Sequence, residues 1–263
     1  MKRLSQHPAL FSARLKKTLR IRALIFSLYL VFFTIPYGSF CLLIFPCLNP
    51  VRRYACAATW CRTTLWVLRK VCGITHQVRG WEHLPDGPAV LLSKHQSAWE
   101  ILGLITLMPQ RLCFVFKREL LRVPFFGWVL GLLKMIRINR RKGHDAFTSI
   151  LRQGRARLQE GAWVVMFPEG TRTRAGTQGI YKTGGARFAV QAGVPVIPIA
   201  HTAGRVWPRN SFIKYPGIVN VSIGPAIPTT SLSPQQVNAR VEKWIETEMR
   251  RMDAGAYNCP APL

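Results

Sequence analysis

Acidic residues are scarce in this chain. Its 263 residues include eleven Asp and Glu against thirty-seven Lys and Arg, a formal net charge of +26. None of the eleven lies before Glu82, whereas residues 1–81 hold thirteen Lys and Arg. This balance calls for an acidic partner, either nucleic acid or an anionic membrane. Charge is missing in a second way: residues 23–48 form a largely apolar run without one charged side chain. Nucleic-acid binding does not account for such a run. A basic segment wrapped around an apolar one fits a membrane-binding element. Anionic membrane lipid is therefore the expected partner, and nucleic acid is not.

Other signatures are missing too. The seven cysteines are odd in number and include no Cys-x-x-Cys pair. Five of them (Cys41, Cys47, Cys56, Cys61 and Cys72) fall in or beside the apolar region. They read as small buried residues, not as a disulfide framework, which suits the reducing side of a membrane. No His-Glu-x-x-His string and no Walker loop occurs, so neither a metal nor nucleotide hydrolysis is expected. Internal repeats and long low-complexity linkers are absent as well. The basic N-terminus followed by apolar residues has the look of a signal peptide. The apolar run is longer than a signal core and no clear small-x-small cleavage site follows it, so the segment is expected to be retained.

What is present begins with that apolar run. Twenty-six residues reach about 39 Å as a helix, against a hydrocarbon core of about 30 Å. One tilted span fits; two do not. Pro36-Tyr37-Gly38-Ser39 in its middle suggests a break. Basic residues flank it on both sides, Arg14 to Arg22 before and Arg52 to Lys70 after. The positive-inside rule places both flanks on the cytoplasmic side. A re-entrant hairpin bent near Pro36 satisfies this and is the favoured expectation, with a single span as the rival. Residues 54–72, rich in aromatic, apolar and Arg residues, read as an interfacial helix.

The pattern changes after Gly73. Short apolar runs at 74–79, 89–93, 112–116, 163–167, 196–200 and 219–223 read as strands. Helical periodicity appears at 98–108, 144–160, 184–192 and 234–252. The alternation predicts an α/β fold with a mixed, largely parallel sheet flanked by helices. The expected organisation is a membrane-binding segment over 1–73, an α/β domain over 74–254 and a frayed tail over 255–263.

Two strings carry the chemistry. Lys94-His95-Gln96-Ser97-Ala98-Trp99-Glu100 follows the end of an apolar strand, where α/β domains commonly place active groups. A histidine side chain suits a general base at neutral pH, which makes His95 the candidate. Glu100 could orient the imidazole and stabilise its cation. It also fits Ser-x-x-Glu, a helix capping box with Ser97, and the two roles are compatible. The second string is Phe167-Pro168-Glu169-Gly170-Thr171-Arg172. Gly170 permits close backbone approach and Arg172 offers a planar fork matched to a phosphate. Glu169 orients loop donors, pairs with a neighbouring base, or is a buried ion-pair partner.

Together the two strings, in this order and about seventy residues apart, resemble the glycerolipid acyltransferase family of the 1-acylglycerol-3-phosphate acyltransferase type. That family carries His-x-x-x-x-Asp where this chain has Glu100. The resemblance covers roughly residues 76–225. It implies a phosphate site drawn from Lys117, Arg118, Arg140, Glu169, Gly170, Thr171 and Arg172, with Lys117 matching the second motif best and Arg118 as its alternative. Val194-Pro195-Val196-Ile197-Pro198 resembles a fourth, apolar motif along an acyl channel. Lys182 and Gly184 lie in a further matching loop without a firm role. The resemblance implies transfer of an acyl chain from a thioester, acyl-coenzyme A or acyl carrier protein, with no cofactor. Another lyso-lipid acceptor, or a lipid-binding protein without chemistry, are its rivals. The implied location is the inner membrane, with the catalytic domain facing the cytoplasm.

Overall fold

Val90, Leu91 and Leu92 are buried without residual exposure. A strand covered on both faces sits inside a sheet, and in a parallel sheet helices supply the covers. The computed structural model describes residues 12–138 and 144–257 and has this arrangement. The chain runs α1 (Ala13–Ile44), α2 (Pro50–Cys72), β1 (Ile74–Arg79), β2 (Val90–Ser93), α3 (Trp99–Leu107), β3 (Leu112–Lys117), α4 (Phe126–Leu132) and β4 (Ile136–Ile138). It continues through α5 (His144–Gln159), β5 (Trp163–Met166), α6 (Gly184–Ala192), β6 (Val196–His201), α7 (Ala203–Val206), β7 (Gly217–Ile223), α8 (Pro234–Met252) and α9 (Ala254–Tyr257).

The seven strands lie in the order β1-β7-β6-β2-β5-β3-β4. All neighbours are parallel except β6 and β7. The fold is thus a mixed α/β sheet, largely parallel and flanked by helices, as the alternating pattern predicts. Side chains alternate between two apolar layers. Leu91, Val165 and Ile197 pack with Phe26, Leu65, Leu68 and Trp99 from α1, α2 and α3. Val90, Leu92, Val164 and Val196 pack with Ile150, Phe188, Val241 and Ile245 from α5, α6 and α8. Burying one such side chain contributes about 1.5–3 kcal/mol. The predicted strands all appear. β4, α4, α7 and α9 were not anticipated.

The N-terminal part differs from the sequence expectation. α1 passes through Pro36 without a break. Proline removes the bond to the carbonyl four residues back and crowds that carbonyl, but its φ suits a helix. Gly38 is a packing site, not a turn: an added Cβ would lie 3.3 Å from Phe125 Cβ. The reversal falls instead near residues 45–49, where Asn49 caps α2 by accepting from Arg52 N–H at 2.9 Å. α2 returns antiparallel along α1. Tyr37 donates to the Cys56 carbonyl at 2.9 Å, and Trp60 Nε1 donates to Thr34 Oγ1 at 3.2 Å. Residues 54–72 belong to α2, which packs against α1, α3 and β1.

This pair is fixed to the α/β domain. Phe26 meets Trp207 edge to face at 5.6 Å. The Lys214 ammonium lies over the rings of Phe26, Trp207 and Phe212. The outer face of α1 stays bare, with Phe32 73% and Leu43 78% exposed. By length and composition this helix could cross a membrane. At the other end, residues 255–257 of the expected frayed tail are helical, within α9, and the rest of that tail lies outside the described residues.

Candidate active site

β2 is central, between β6 and β5, and runs parallel to both. The ends of these three strands and the loops that follow them therefore meet at one edge of the sheet. They bring His95, Glu169 and His201 together although these residues are far apart in sequence.

His95 Nδ1 donates to Glu100 Oε1 at 2.5 Å. Glu100 is fully buried in the first turn of α3. The same oxygen accepts Gln96 N–H at 3.2 Å and Ser97 N–H at 3.0 Å, while Ser97 Oγ accepts Trp99 N–H at 3.1 Å. One carboxylate oxygen thus serves both as imidazole partner and as helix cap. With Nδ1 occupied, Nε2 is the basic nitrogen, and the ring remains partly accessible at 16% side-chain exposure. The ring stacks on Phe167 at 4.0 Å, so it is held from its face as well as its edge.

The Phe-Pro-Glu-Gly-Thr-Arg loop is clipped to the same backbone. Glu169 Oε2 accepts His95 N–H at 2.8 Å, and Thr173 N–H donates to the His95 carbonyl at 2.8 Å. Glu169 Oε1 accepts from the Lys94 ammonium at 2.7 Å and from Thr173 Oγ1 at 3.1 Å. The alternatives for Glu169 coexist: it is a buried ion-pair partner of Lys94 and also holds the loop donors His95 N–H and Thr173 Oγ1. A buried carboxylate spent in this way does not face a phosphate. Gly170 adopts φ +67°, the left-handed region that favours glycine. The Lys182 side chain runs past it, within 3.5–3.7 Å of where a Cβ would be. Arg172 is half-buried, its carbonyl accepting from Arg209 at 2.5 Å. Among the described residues no carboxylate pairs with the Arg172 guanidinium, and Thr171 is exposed beside it.

The remaining expected residues are less closely joined. Lys117 ends β3 and Arg118 opens the turn Arg118–Arg122; both are exposed, on the same sheet edge but two strands from β2. Among the described residues no hydrogen bond ties either to the Arg172 loop. Arg140 lies outside the described residues.

Several participants escaped the sequence. Lys94 is fully buried and contacts Glu169 and Glu246, each at 2.7 Å. Its position directly after four buried strand residues was the available signal. His201 ends β6, donates from Nε2 to the Lys94 carbonyl at 2.8 Å and accepts from Ala203 N–H at 3.3 Å. Burial lowers its pKa, so it is neutral. Its Nε2 stands 3.9 Å from Glu100 Oε2, an oxygen without a hydrogen-bond partner among the described residues.

Comparison with known proteins identifies the family. Residues 75–202 match the family described as Acyltransferase. The chain is 44% identical over 233 residues to the 1-acyl-sn-glycerol-3-phosphate acyltransferase of Pseudomonas aeruginosa, covering 87% of this chain and 90% of that one. It is 32% identical over 184 residues to the human 1-acyl-sn-glycerol-3-phosphate acyltransferase alpha, covering 69% of this chain and 65% of that one. The fold is similar to the crystal structure of the 1-acyl-sn-glycerophosphate acyltransferase PlsC from Thermotoga maritima, with a TM-score of 0.73 at 21% identity over 89% of this chain and 95% of that one. A relative this similar, matched over nearly its whole length, settles the family: this chain is an enzyme and belongs to the acyltransferases, alongside the 1-acyl-sn-glycerol-3-phosphate acyltransferases.

Proposed function

We propose that the chain acylates the 2-hydroxyl of 1-acyl-sn-glycerol-3-phosphate and forms phosphatidic acid for phospholipid synthesis. The observation that carries this is the clipping of the Arg172 loop onto His95 through Glu169 and Thr173. A base for a hydroxyl and a cation for a phosphate thereby share one short stretch of backbone.

His95 Nε2 takes the proton of the acceptor hydroxyl, with Glu100 stabilising the resulting imidazolium. The oxygen attacks the thioester carbonyl and a tetrahedral oxyanion forms. Its collapse breaks the carbon–sulfur bond. The thiol leaves with the proton returned by His95. Arg172 holds the acceptor phosphate, with Lys117 or Arg118 as a second cation. The thioester is acyl-coenzyme A or acyl carrier protein, both acidic and suited to a chain of charge +26.

The enzyme works on the cytoplasmic face of the inner membrane. α1 lies in the plane of the bilayer interface and does not cross it. Its inner face contacts the α/β domain at Phe26 near its middle and at Gly38 toward its C-terminal end. Crossing would drag those parts of the domain into hydrocarbon. Phe126, Trp128 and Leu132 of α4 add exposed apolar side chains beside α1. Both basic flanks stay on one side, as the positive-inside rule requires.

The test offers purified protein a panel of lyso-lipids with each thioester, and products are identified by mass spectrometry. Phosphatidic acid is expected from 1-acylglycerol-3-phosphate. Acylation of a different lyso-lipid in its place would replace the acceptor assignment.

A further inference from the structure

A 19-residue helix carries one buried carboxylate on its apolar face. In α8 the inward residues are Val237, Asn238, Val241, Ile245, Glu246 and Met249. Glu246 is 2% exposed. Burying a charge there costs free energy unless it is paired, and a buried pair is weak ground for stability when apolar residues would serve. The partners of Glu246 point elsewhere than stability.

Glu246 Oε1 accepts from Lys94 Nζ at 2.7 Å and from the Tyr181 hydroxyl at 2.7 Å. Oε2 accepts from the Tyr257 hydroxyl at 3.4 Å. Burial and the Glu246 charge push both phenols up, so both remain donors. Lys94 spends its three donors on Glu246, Glu169 and the Thr177 carbonyl. Glu169 in turn holds His95 N–H. The chain of contacts is therefore Glu246 to Lys94, Lys94 to Glu169, and Glu169 to the main chain of His95. It starts outside the residues matched by the family, 75–202.

We propose that Glu246 is a positioning residue for acyl transfer: through Lys94 and Glu169 it fixes the main chain that carries His95. The inference rests on the reaction proposed above. Two carboxylates share one ammonium in this cluster, so removing the charge of Glu246 leaves Lys94 and Glu169 as a balanced pair. Removing Lys94 would instead leave two buried anions, which is why Glu246 is the informative site.

The experiment measures kcat and acceptor KM for Glu246→Gln in the full chain, on whichever lyso-lipid the wild-type chain acylates. Failure on lysophosphatidate alone would thus overturn the acceptor assignment and still leave the variant comparison readable. Glutamine keeps one oxygen for the Tyr181 hydroxyl, and its amide nitrogen can donate to the Tyr257 oxygen, so thermal unfolding should stay close to wild type. Displacing a catalytic group by about 1 Å costs on the order of 10²-fold. A kcat about 10- to 100-fold lower, with acceptor KM within about twofold, is expected. Glu242→Gln is the control: Glu242 lies one turn earlier and accepts from Gln178 at 2.8 Å, without touching Lys94, and should leave kcat unchanged. A folded Glu246→Gln with wild-type kcat overturns the proposal. So does a rise in KM with kcat preserved, which would mark α8 as a mere support for the phosphate loop. If Glu246→Gln does not fold, Tyr181→Phe decides. It removes one hydrogen bond to Glu246, keeps every charge, and should lower kcat by about two- to tenfold without moving KM; unchanged kcat there also overturns the proposal.

Discussion

Glu100 Oε1 lies 2.5 Å from His95 Nδ1 and simultaneously accepts the N–H groups of Gln96 and Ser97. The carboxylate that orients the base also builds the turn that presents it. Geometry and charge are therefore separable by substitution. Glu100→Gln keeps an oxygen for all three donors and loses the charge that stabilises the imidazolium. It should unfold near the wild-type temperature yet turn over at least about 10²-fold more slowly. Glu100→Asp keeps the charge on a shorter arm and should retain measurable activity. Wild-type turnover by Glu100→Gln would reduce the residue to a helix cap.

Arg172→Ala should act through the acceptor. Acylation of lysophosphatidate should fall strongly, whereas slow hydrolysis of the thioester by water, which needs no phosphate, should fall less. The ratio of the two rates is the quantity to measure. An equal loss on both, in folded protein, would make Arg172 structural.

His201 gives acid sensitivity. Burial lowers its pKa below 6.5, so the unfolded chain takes up a proton that the folded chain refuses. Stability is complete above about pH 6.5 and declines as pH falls toward the folded pKa. His76, its pKa also lowered by desolvation and by the nearby Arg69 charge, adds the same sign. His201→Gln removes the titrating ring and should lose less stability than wild type between about pH 7.5 and pH 5. Denaturant midpoints across that range measure it, and an equally acid-sensitive variant would contradict this account.

The interfacial placement of α1 is testable by labelling. Single cysteines at positions 17 and 76, in an active cysteine-free background, should react on the same side of sealed vesicles with an impermeant reagent. Opposite sidedness would require α1 to cross.

How legible this was from sequence depended on range. Runs such as Val90-Leu91-Leu92 announce buried strands because both of their faces are apolar. β4 spans only Ile136–Ile138 and contains Arg137, too short to show a pattern. Pro36 misled because the hydrogen bond it removes and the carbonyl it crowds, a cost of about 3 kcal/mol, are offset where α1 packs against α2 and Phe125. At the site, His95 and Glu100 are local and could be read directly. Lys94 and Glu246 are 152 residues apart and meet only because α8 folds under the sheet edge. No sequence pattern joins them.

The central claim is that His95 is the base for acyl transfer, and the rate of phosphatidic acid formation by His95→Ala tests it most directly. The variant keeps α1, α2 and the sheet, so its fold and vesicle binding should match wild type. The account predicts a rate lower by about 10²–10⁴-fold. Turnover within a few-fold of wild type, in folded and membrane-bound protein, would remove His95 from the chemistry and contradict the account.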